Sequence, residues 1–120
     1  MIYRVGAAAF VAAALYHLAA VLIPAFAETA YSATYPLWRH LVFIIINVTF
    51  AWLLVRQVQW VVWPFALLTL QIYNGHGRAA WMAWSRESRF AWIDVMTTVG
   101  ATVFLGLLLA SRRRVRERRT

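Results

Sequence analysis

Four residues hold most of the chemistry that this sequence offers inside its apolar segments: His17, His40, His76 and Asp94. Three neutral imidazoles and a carboxylate form a ligand set for a metal ion such as zinc, copper or iron. The same imidazoles suit a b-type haem as a second chemistry, with His17 and His40 as axial ligands and Arg39 or Arg78 pairing the propionates. A third is the head group of a quinone or lipid, held by arginines and stacked against Trp38, Trp81 and Trp84. The chain has no cysteine, which excludes a disulfide framework, a thiolate metal site and a cysteine nucleophile.

The spacings of 23, 36 and 18 residues between these four match no metal-binding motif. What groups them is depth in a membrane. Of the 120 residues, 63% are hydrophobic and 13% charged, far from the roughly half apolar and quarter charged balance of a soluble domain. The length is that of one domain. The formal charge of +8 arises largely from the last nine residues, so it describes a tail and not a nucleic-acid-binding surface. All twelve basic residues are arginine, a bias that suits bidentate partners and that a GC-rich genome also produces.

Four apolar segments must position the site. Helices are expected at about 2–23, 37–55, 58–75 and 90–110, packed as an all-α, integral membrane, antiparallel four-helix bundle over residues 1–110, with a basic tail at 111–120. The first segment begins with Met-Ile-Tyr-Arg and ends near Ala25-Phe-Ala27, like a signal peptide. Its apolar run exceeds the usual 7 to 15 or so residues of such a leader, so it is taken as a membrane helix. Ala9, Ala13 and Ala20 share a face with Tyr16 and His17, a spacing that permits close helix packing in lipid. Residues 24–36 read as a loop between two prolines, and Pro64 lies inside the third segment. The stretch Gln71 to Asp94 holds a second loop joining the third and fourth helices, with Gly75 and Gly77 ending the third helix around His76.

Arginine placement sets the orientation. Four spans put both termini on one side with Arg4, Arg56 and six tail arginines, against Arg39, Arg78, Arg86 and Arg89 on the other. The termini are therefore expected in the cytoplasm of a bacterial cell, with the tail against anionic lipid. His17 then lies about 9 Å, His40 about 4.5 Å and Asp94 about 6 Å below the outer helix ends, with His76 just outside. Ionisable groups at such depth are costly and face a partner in the bundle interior by default. The four are expected to converge in one outer cavity, with Arg39, Asn47, Gln71, Tyr73, Arg78, Trp81 and Trp84 as ligand-binding residues around it.

A purely structural reading stands beside this one. Histidine near a helix end can cap it, Asp94 can pair with Arg39 or Arg89, and tryptophans at both ends form an interfacial belt. Asn47 and Thr98 read as interhelical hydrogen bonders. The length and four-span plan are similar to those of the small multidrug-resistance transporters. The acidic residue that defines that family's first membrane helix has no counterpart here, so its function does not carry over. The topology and the Ala/Gly-rich first helix also resemble DoxX-type membrane proteins. The expected function is thus binding of a metal or redox cofactor, as an enzyme or enzyme subunit. The alternatives are a lipid or small-molecule transporter or binder, and an assembly subunit. A homo-oligomer or partner membrane subunit is expected to cover the aromatic and Ile-rich outer faces, such as Phe43 to Ile46.

Overall fold

The computed structural model describes residues 1–23, 25–26 and 36–117, the last five as helical backbone alone. Most of the loop expected at 24–36, including Ala27, and the final three residues of the tail lie outside the described residues. The fold is all-helical, with no strand among the described residues. Ile2–Leu22, Leu37–Val55 and Trp92–Arg112 are long and apolar enough to cross a membrane. The chain divides into two compact units, Met1–Val58 and Gln59–Thr120.

The first unit is a hairpin of α1 (Ile2–Leu22) and α2 (Leu37–Val55). Phe10 stacks on Phe50 at 5.1 Å, and His17, seven residues on, stacks on Phe43, seven residues back. These rungs fix an antiparallel register. Gly6, Ala7, Ala14 and Ala20 are the buried residues of α1, and their small side chains let the two backbones approach closely. Ala9 is exposed, a correction to the expected packing face. The helical angle puts Ala9 beside Val5 and Ala12 on the outer stripe, while Phe10 takes the contact with α2. At its end α2 closes with Val58 N–H on the Leu53 carbonyl and Gln57 N–H on that of Leu54, with Gln57 left-handed at φ 53°. That is a Schellman cap built without glycine.

The second unit begins with a 3-10 turn, Gln59–Val61, leading into α3 (Val62–Ile72). Pro64 falls in the first turn of α3, where a backbone N–H has no intrahelical acceptor, so the helix loses no bond to it. Beyond Ile72 the chain stays helical through a π-helical turn, Tyr73–Gly77, and α4 (Arg78–Glu87). The reading of Gly75 and Gly77 as a helix end, and of the residues between the third and fourth helices as a loop, is thereby corrected. Both glycines keep right-handed dihedrals, and the wider π turn carries the backbone bonds across them. The helix ends instead at Ser88, left-handed at φ 49°, with its N–H and that of Arg89 on the Ala83 carbonyl. Next comes α5 (Trp92–Glu117), which continues past Ala110 into the arginine run, because arginine is itself a good helix former.

Candidate functional site

In the first unit, the register that pairs Phe10 with Phe50 also brings His17 to His40. Their Nδ1 atoms lie 3.2 Å apart, the ring centroids 5.5 Å apart at a tilt of 51°. His40 is buried and His17 half-buried. The Phe43 ring lies nearly parallel to that of His17, 5.3 Å away at 13°, so it fixes the imidazole plane. Two Nδ1 atoms approach this closely only if one carries a proton that the other accepts, or if both lone pairs point at a shared cation. Next to His17 in the chain, Tyr16 packs edge-on against Phe26 at 5.1 Å.

The other expected residues of this unit take up different positions. Arg39 is half-buried beside His40. Asn47 is buried on the His40 face, and its amide donates to the Phe43 carbonyl at 2.7 Å. That bond lies within one helix, not between helices as expected, because an Asn side chain readily reaches the carbonyl four residues back. Trp38 is exposed at the start of α2.

In the second unit, three rungs join the α3 and π-turn segment to α5. Phe65 meets Phe104 edge to face at 5.2 Å, Tyr73 Oη lies 2.8 Å from Thr102 Oγ1, and His76 Nδ1 lies 2.7 Å from Asp94 Oδ1. Asp94 is buried and His76 half-buried. The carboxylate accepts from the ring N–H, which fixes the ring's orientation and leaves Nε2 for other chemistry. Thr98 donates within α5 to the Asp94 carbonyl at 2.8 Å, again an intrahelical bond where an interhelical one was expected. Of the arginines weighed as structural partners for Asp94, Arg89 bonds Glu87 through Nε at 3.1 Å.

Beside the His76–Asp94 pair is a cavity of about 390 Å³, lined by Tyr73, Trp81, Trp84 and Phe90 among others, with Arg89 also in its wall. Three expected ligand residues, Tyr73, Trp81 and Trp84, thus meet around one space. Gln71 and Arg78 are exposed and do not line it.

Sequence reasoning missed Phe43, Thr102, Arg89 and Phe90 as site residues. Phe43 was available from spacing, three residues after His40 on the same helical face. Arg89 and Phe90 sit in a turn whose geometry no pattern in the sequence announces.

Comparison of the chain with protein-family models, with curated proteins and with solved structures finds no match.

Proposed function

We propose that this chain is a four-span membrane protein with both termini in the cytoplasm, whose function rests on a transition-metal ion held at the outer side by His17 and His40. The observation that carries this reading is the 3.2 Å separation of the two Nδ1 atoms. Two imidazole nitrogens each about 2.0–2.1 Å from a tetrahedral ion stand roughly 3.3 Å apart, so the pair has the bite of a chelate. Axial ligation of haem instead needs nitrogens about 4 Å apart on opposite faces of a macrocycle, so the same distance favours a bare ion.

The membrane setting draws support from the helices themselves. Arg56 lies over Trp52 at 5.8 Å and Arg112 over Trp63 at 5.3 Å. These pairs fit cytoplasmic anchors in which the guanidinium meets anionic head groups and the indole rests at the interface. The outward apolar side chains, Ile45 and Val103 among them, face lipid or a second copy of the chain.

The experiment is metal analysis of detergent-purified protein, followed by titration with zinc and with cobalt as a spectroscopic probe. About one ion per chain is expected, with loss in both His17→Ala and His40→Ala. Protein that binds no metal, or whose two hairpin variants bind it as the wild type does, ends this reading, and an intense Soret band replaces it with haem.

A further inference from the structure

The cavity in the second unit is walled by more aromatic surface than an interfacial belt explains. A belt spreads its rings around the circumference of a protein at one depth. Here Tyr73, Trp81, Trp84 and Phe90 converge on one space of about 390 Å³, and each remains 45–69% exposed. Two helical segments and a turn bring them together. Tyr73 comes from the π turn, Trp81 and Trp84 sit three residues apart on one face of α4, and Phe90 follows the left-handed Ser88. Exposed aromatic faces around a void of this volume, which falls within the range of small-molecule pockets, suit a small organic ligand.

The polar groups define what that occupant carries. Arg89 is the single charged residue among those lining the cavity, and its bond to Glu87 uses one of five guanidinium N–H donors. On α5, Val95, Thr98 and Val99 line the cavity, with Ala91 just before the helix. Gly77, next to His76, and Val95, next to Asp94, both line it, so the His76–Asp94 pair adjoins the wall along the chain without lining it. A saturated acyl chain gains nothing particular from four aromatic rings. A planar ring stacks on them, and ring carbonyls accept from N–H donors at the edge.

We propose that this cavity binds a lipid-soluble planar ring bearing carbonyl oxygens, of the quinone class, stacked between the aromatic walls with a carbonyl toward Arg89. The site is distinct from the histidine pair of the first unit, so its test does not depend on the metal.

The test uses the full chain in mild detergent, titrated calorimetrically with a decyl-substituted benzoquinone and corrected for partition into protein-free micelles. Saturable binding of about one molecule per chain is expected. Removal of a wall in Trp84→Ala, or filling of the space in Ala80→Trp, weakens it about tenfold or more, as loss of one stacked ring with its buried area implies. Both variants are checked for retained helicity and elution volume; Trp84 is largely exposed, so its replacement leaves folding intact. His17→Ala leaves binding unchanged even where it abolishes metal. Uptake that never saturates, wild-type affinity in both cavity variants, or displacement by decanol or a fatty acid as readily as by the quinone itself overturns the proposal.

Discussion

His76 and Asp94, eighteen positions apart, meet through a 2.7 Å contact between ring Nδ1 and carboxylate Oδ1. An ionised carboxylate in an apolar setting needs a donor, and a histidine on the neighbouring segment supplies it. Asp94→Asn keeps an acceptor of the same shape but removes the charge, and is expected to destabilise the protein by about 1–2 kcal/mol. Asp94→Leu leaves the imidazole unpaired and costs more. Thermal unfolding in detergent measures both. Equal stability of the wild type and the leucine variant would show that the pair has no structural role.

The hairpin of the first unit holds its histidines together through close backbone packing, so a distant change should loosen them. Ala14 is buried one turn beyond Phe10, and Ala14→Leu forces extra methyl groups between α1 and α2 at a cost of about 1–3 kcal/mol. Metal affinity should fall in that variant although no ligand is touched. Ala8→Leu, on the exposed side of α1, should leave both stability and affinity nearly unchanged. Metal titration of the two variants side by side decides whether hairpin packing sets the bite of the chelate.

Much of this was legible in the sequence. Long apolar runs with few charges read as helices because a bilayer-length segment has no other way to satisfy its backbone. That His17 and His40 both lie in the outer part of an antiparallel hairpin was legible, but their depths of about 9 and 4.5 Å did not announce a direct contact. Which histidine Asp94 would hold was not legible, because His76 lies in the stretch that reads as a helix end. The π turn was not, because glycine twice within three residues looks like a stop. Nor was the reach of α4, whose Arg78, Ser85, Arg86 and Glu87 look like loop polarity although they support a helix. Gln57 and Ser88 adopt left-handed backbone without the glycine that would have announced it.

Topology is tested by thiol labelling in a chain with no native cysteine. Ser85→Cys on α4 should react with a membrane-impermeant maleimide added outside the cell. Gln59→Cys, between α2 and α3, should react only after permeabilisation. Both sites are exposed, so lack of reaction reports sidedness and not burial. The reverse pattern would invert the protein and place the arginine-rich end outside.

The π turn sets the register of everything after it, which makes it a switch point for the second unit. A π turn holds one residue more than the α-helical turn it replaces, so deleting Asn74 should restore α-helical bonding and rotate the following residues by about 100° relative to α3. Phe65–Phe104 and Tyr73–Thr102 lie before the deletion and should persist, but His76 should turn away from Asp94. Cysteines at positions 76 and 94, bridged by a short bis-thiosulfonate, should crosslink in the full-length chain and fail to do so after the deletion. Gly77→Ala is the matched control. A Cβ there meets Tyr73 Cδ1 at 3.6 Å and Thr98 Cγ2 at 3.7 Å, ordinary contacts that require no shift. Replacing glycine by alanine inside a helix then stabilises by up to about 1 kcal/mol, with crosslinking retained. If the deletion crosslinks as well as the parent, the extra residue does not aim His76, and the pairing with Asp94 must survive a change of helical register.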